Sequence, residues 1–199
     1  MESWLTSTPY PGMILWIVLY ISDYYMTLNS AKGFQEIGHF HFEGSFELTP
    51  QFQEDINKQK RISRRHIIFL VVYTLVILVA WWLFAKTLKA EWLYSIYLGT
   101  LILMEVAVHL RHFRNLHMVK AIKNEGGVEG DITYQKKLSY RISANEFQTF
   151  AWLFFIVAVI TYSPFFLGGV ISCFGISFRH NAYAKRAAGT PKAVHADHS

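Results

Sequence analysis

Charge is scarce in this sequence, and the places where it is missing matter more than the total. Asp, Glu, Lys and Arg make up 17% of the 199 residues, against about 25% in an ordinary soluble domain. None of the four occurs at 3–22, 67–85, 92–104 or 147–178. A helix that crosses the hydrocarbon core takes about 20 apolar residues. These gaps argue against a water-soluble globular domain and for an all-α integral membrane protein. Cysteine is nearly absent too. Cys173 stands alone, which excludes an intrachain disulfide. There is no Gly-x-Ser-x-Gly elbow, phosphate loop or Cys-x-x-Cys, so hydrolase, nucleotide and thiol-redox chemistry have no motif behind them. No basic residue precedes the first apolar run and no Ala-x-Ala follows it. The run is therefore expected to stay as a span and not to be cleaved as a signal.

The uncharged stretch at 147–178 covers 32 residues, about 48 Å as one helix, against a core of about 30 Å. Ser163-Pro164 divides it. Five spans result, near 11–31, 67–86, 92–112, 146–162 and 165–179, the last short enough to be re-entrant instead. Of the 19 Lys and Arg residues, all but Lys86 and Lys89 fall on one side of such a bundle. That asymmetry places the N-terminus outside and the C-terminus in the cytoplasm, as in a bacterial inner membrane. Trp81, Trp82, Trp92, Tyr94 and Tyr97 are expected in an aromatic belt at the outer side. The net charge of +5 is thereby assigned to anionic lipid headgroups, with Arg61, Arg64, Arg65, Lys136, Lys137 and Arg141 as contacts. Nucleic acid is not required as a partner.

The single membrane domain, 1–199, carries an internal echo. Shifted by 82 residues, Asp23 falls on Glu105, Glu43-Gly44 on Glu125-Gly126 and Gln53 on Gln135. After a two-residue gap, Arg61-Ile62-Ser63 falls on Arg141-Ile142-Ser143. The expected layout is repeat 1 at 11–86, repeat 2 at 92–162, a fifth helix at 165–181 as a partial third repeat, and a disordered tail at 182–199. Each repeat reads as span, inner loop, span, with a pseudo-twofold axis along the membrane normal. In the first loop, Phe40, Phe42, Phe46 and Leu48 alternate around Glu43-Gly44-Ser45, a hairpin pattern. The second repeats it more weakly around Glu125-Gly126-Gly127. Thr49-Pro50 offers a helix start. Basic amphipathic segments then lead into the second and fourth spans. Gly99, Gly168 and Gly169 are read as points of close helix contact.

Chemistry concentrates in "EVAVHLRHFRNLH". Glu105 lies six residues before Arg111, about 9 Å inside the charged rim, where a bare carboxylate is costly. His109 and His112 share its helical face, and Asp23 holds the matching depth in the first repeat. Three readings compete. Glu105 and Asp23 are capped by local partners, His109 or a rim arginine for one and Tyr24, Tyr25, Asn29 or Ser30 for the other. Alternatively they form a polar axis for protons or cations, with His109 and His112 as relay groups. A metal site is the third, built from Glu105, His109 and His112 with His39 and His41, although the spacing matches neither Glu-x-x-His nor His-Glu-x-x-His. The leading function is ion or proton passage near Asp23 and Glu105. An accessory or assembly subunit of a larger membrane complex is the alternative, and a membrane-embedded metalloenzyme the third. A homo-oligomer or membrane-complex partner is expected in any case.

Overall fold

The computed structural model describes residues 3–188. The chain is mostly helical: α1 (Ser3–Thr6), α2 (Tyr10–Ile37), β1 (Phe40–Phe42), α3 (Gln53–Asn57), α4 (Arg64–Trp81), α5 (Glu91–Glu125), β2 (Ile132–Tyr134), α6 (Lys136–Thr161) and α7 (Pro164–Ala188). Three helices are long and apolar enough to cross a membrane: Arg64–Thr87, which is α4 continued through a π-helical turn, Glu91–Glu125 and Lys136–Thr161. The fold is consistent with a membrane protein. Helices start and stop for local reasons. Ser63 caps α4 by accepting the His66 N–H at 3.2 Å, and Gly38, at φ 81°, closes α2. Tyr162 takes a left-handed turn before Pro164 opens α7, so the expected break at Ser163-Pro164 is present.

α5 is the spine. α2 packs along one side and α7 along the other; α6 lies against α7 and α4 against α2. The α5–α7 contact is backbone to backbone. A Cβ on Gly99 would sit 1.9 Å from the Phe165 carbonyl oxygen, and one on Gly168 would sit 2.1 Å from that of Ile96. Missing side chains let two helices approach to this degree. α4 is the opposite case, with only Ile77 and Ala80 buried. Of the expected aromatic belt, Trp82 and Trp92 are exposed while Tyr94 is fully buried in the core.

The inner loops are not hairpins. β1 and β2 pair with each other as a parallel two-stranded sheet, Phe40 on Ile132 and Phe42 on Tyr134. The return leg of the first loop goes elsewhere: Ser45 Oγ donates to Asn57 Oδ1 at 2.8 Å and accepts the Glu47 N–H at 3.1 Å. The alternating phenylalanines are spent on a ring cluster, with Phe40, Phe42 and Phe46 all within 5.2–5.6 Å of Phe34. In the second loop, helix α5 runs to Glu125, through the stretch expected to form a strand. Val119 seats against Gly33 and holds it there. The 82-residue offset thus sends β1 onto helical 122–124, whereas its real partner lies 92 residues on. Ser63 begins a helix and Ser143 lies inside one, so the second half of the alignment fails as well. Thr49-Pro50 forms a turn, and α3 starts only at Gln53. α7 extends to Ala188, so 182–188 are helical; the rest of the expected tail, with His195 and His198, lies outside the described residues.

Two outcomes follow from this packing. Gly99→Ala should destabilise the detergent-solubilised protein by about 1–3 kcal/mol through overpacking. Gly175→Ala, whose added Cβ meets nothing within 4 Å, should be neutral or stabilising by up to about 1 kcal/mol. Equal thermal shifts in the two variants would refute the α5–α7 crossing. The second concerns Asp55, buried in α3, which accepts from Lys60 Nζ at 2.6 Å and from Ser63 Oγ at 2.5 Å. The Lys60 bond first, then the Ser63 bond, hold its carboxyl below the usual carboxylate range. A depressed folded value means its contribution is complete above the ordinary carboxylate pKa and is lost as pH falls through the folded value. Asp55→Asn should cost about 1–2 kcal/mol at neutral pH. That difference should vanish in acid, which a pH series of melting curves would read.

Candidate functional site

The two acids marked by the sequence face one cleft. It has a volume of about 810 Å³ and runs from the sheet end of the bundle toward its middle. Asp23 comes from α2 and Glu105 from α5. α4 contributes His66, Phe69 and Tyr73, α6 contributes Ser143 and Phe147, and α7 contributes Ile176 and His180. At the far end the cleft stops at Trp16, Tyr73 and Tyr97. Leu5, Ile77, Ala80, Tyr94 and Leu98, the core beyond that roof, do not line it.

Neither acid is capped by its own helix. Asp23 Oδ1 meets His112 Nε2 across the α2–α5 contact at 3.1 Å, and Thr27 Oγ1 lies 3.0 Å from the same nitrogen. Glu105 is 4% exposed, and its Oε2 is buried without a hydrogen-bond partner. His109 does not reach that carboxylate. Its Nδ1 donates to the Glu105 backbone carbonyl at 2.7 Å, a bond that requires the proton on Nδ1 because a carbonyl only accepts. Its Nε2 lies 2.6 Å from Ser22 Oγ, whose own hydroxyl donates to the Leu19 carbonyl at 3.0 Å. His109 is thus a clamp between α5 and α2 and lies outside the cleft lining, whereas His112 lines it.

The metal reading does not assemble. His39 and His41 stand at the sheet, 3.6 and 3.8 Å from Asp131, away from Glu105 and His112. Among the described residues no group of three or more His, Cys, Asp or Glu is placed to hold a metal ion.

Several groups at the site carry little sequence signal. Glu146, at the edge of the fourth uncharged run, accepts from Arg111 Nε at 2.7 Å and from Arg114 Nη1. Arg111 also lies 4.8 Å over the Phe147 ring. At the mouth, burial pushes the Glu47 carboxyl above its usual range, against the pull of the Thr49 N–H. The roof is aromatic: Trp16 stacks on Tyr20 at 4.9 Å and meets Tyr73 at 5.8 Å, and Tyr20 stacks on His66 at 4.3 Å. The 16, 20, 24 spacing of Trp16, Tyr20 and Tyr24, one face of α2 shared with Asp23, is the signal that points to this roof.

A double-mutant cycle tests the central contact. Asp23→Asn and His112→Gln should couple by about 0.5–2 kcal/mol in thermal unfolding, in the range of polar contacts within membranes. Strictly additive losses would show that the pair does not meet. Comparison with protein-family models, curated proteins and solved structures finds no match to this chain.

Proposed function

We propose that the chain is a five-helix membrane protein that takes up a proton or cation at Asp23 and Glu105 from its cytoplasmic side. One observation carries this reading. Two carboxyls from adjacent helices face a common cleft that runs in from the sheet end, and each has a buried oxygen without a hydrogen-bond partner, Asp23 Oδ1 and Glu105 Oε2. A carboxylate in such surroundings needs a proton or a counter-cation.

Five crossings are supported by packing. α2 and α7 are 28 and 25 residues long, about 42 and 38 Å, and both lie along α5. Helix neighbours replace lipid along those faces, so less apolar sequence suffices. The exposed Arg61, Arg64, Arg65, Lys136, Lys137 and Arg141 gather at the sheet end, where anionic headgroups of a cytoplasmic leaflet would meet them. A bacterial inner membrane fits this orientation. The repeat is proposed for the spans only, where it pairs Asp23 with Glu105. The alternative, an accessory or assembly subunit, draws support from α4, whose Ile68, Val71, Leu75 and Val79 are exposed and fit either lipid or a second copy.

Reconstituted vesicles carrying a pH dye and an imposed sodium or potassium gradient would test uptake. Wild-type protein should give a saturable, cation-dependent proton flux. Glu105→Gln should abolish it and Asp23→Asn should slow it at least tenfold. Flux equal to protein-free vesicles, or a Glu105→Gln variant as active as the wild type, would end the proposal.

A further inference from the structure

We infer that the cleft is built for an organic cation, a lipid-soluble ammonium or a molecule like it, seated against the aromatic roof with its charge at Asp23 and Glu105. This rests on the cation reading above and narrows its ligand. Size decides first. About 810 Å³ is far more than a proton or a single ion needs, since one water fills about 30 Å³ of liquid. It lies within the 300–1,000 Å³ of sites for drug-sized molecules. Lining decides next. Trp16, Tyr20, Tyr73 and Tyr97 surround the deep end, and the faces of such rings attract cations, most strongly where water is excluded.

Charge distribution points the same way. The deep end holds two acids and no Lys or Arg. Arg111 and Arg114 sit toward the mouth and are paired with Glu146, while Arg179 is engaged by Tyr183 at 3.0 Å. An anion would find these guanidiniums occupied and two carboxyls ahead of it. A wholly apolar guest would leave Glu105 Oε2, Tyr97 OH and Trp16 Nε1 unanswered, all three buried and without partners. A bound cation answers the first directly, and a polar substituent or an accompanying water can reach the other two. The route is from the sheet end, past Arg111 and Arg114, whose charge Glu146 offsets. As the cation docks, one proton leaves Glu105, so charge in the cleft is conserved.

Tetraphenylphosphonium and its isosteric anion tetraphenylborate are suitable probes on the full-length chain in mild detergent, read by calorimetry and tryptophan fluorescence. The phosphonium should bind saturably, release about one proton per site, and lose affinity roughly tenfold per pH unit where Glu105 is protonated. Glu105→Gln should weaken it at least tenfold, Glu105→Asp only a few-fold, and Trp16→Phe should remove most of the fluorescence change. The borate should bind no better than to empty micelles. Equal binding of both probes, or unchanged phosphonium binding in Glu105→Gln and Glu105→Asp alike, would overturn the inference. Glu105-dependent flux of protons with sodium or potassium but no phosphonium binding would overturn it too, while leaving the broader proposal intact. Absence of any Glu105-dependent flux or binding would remove both.

Discussion

Two carboxyl groups inside membrane-length helices impose the constraint on which the arrangement turns. A helix crossing lipid satisfies its own backbone but not a buried acid side chain, so the partner must come from another helix. Asp23 finds His112 on α5, and that contact fixes α2 against α5 in both rotation and height. The His109 clamp between Ser22 and the Glu105 carbonyl adds a second fixed point one turn away. With α2 held, the face carrying Trp16, Tyr20 and Tyr24 must look into the same space as Glu105. The cleft is thus a consequence of how α2 is held on α5, with both acids on its lining.

The opposite side of α5 is governed by size instead of polarity. Gly99 and Gly168 bring α5 and α7 to backbone contact, and α6 follows because Gly169 packs under Leu103 and Phe154. This half has few degrees of freedom: close-packed backbones lose contacts quickly when they separate. α4 is held differently. Its anchors are at its ends, His66 to the Tyr20 carbonyl at 3.2 Å, Trp81 to the Thr6 carbonyl at 3.2 Å, and the preceding Lys60 carbonyl to Tyr24 at 2.8 Å. Side-chain packing along its length is sparse. A wall fixed at two ends yields at lower cost than one packed throughout, so any widening of the cleft falls to α4 and not to α7.

The helices, the break at Pro164 and the glycine contacts were legible because each depends on a period or a residue count. Depth along a helix follows from 1.5 Å per residue. The loops were not legible, for a physical reason. Alternating Phe40, Phe42 and Phe46 specify a strand edge and a buried face but not the partner that completes the sheet. The partner lies 92 residues away, and only the packing of α2 on α5 brings it near. His109 shows a related limit of spacing: its ring is taken up by the Glu105 backbone carbonyl and by Ser22 of another helix, which a shared helical face does not specify.

The small sheet makes the two halves interdependent at the end where charge is dense. Glu43 follows β1, donates its N–H to the Tyr134 carbonyl at 3.0 Å, and accepts the Lys136 N–H at 2.9 Å. The first loop therefore caps the first turn of α6, where a carboxylate also suits the helix dipole. Tyr140 reaches back to the Leu48 carbonyl at 3.2 Å, and Lys123 is paired with Glu36. Every one of these links runs between halves. The register of α6 is consequently set by residues about 90 positions earlier, and with it the height of Glu146. Because Glu146 gathers Arg111 and Arg114, its height decides whether those guanidiniums stay at the mouth or crowd the acids within. The loops that looked like independent hairpins thus hold the positive charge of Arg111 and Arg114 away from Asp23 and Glu105.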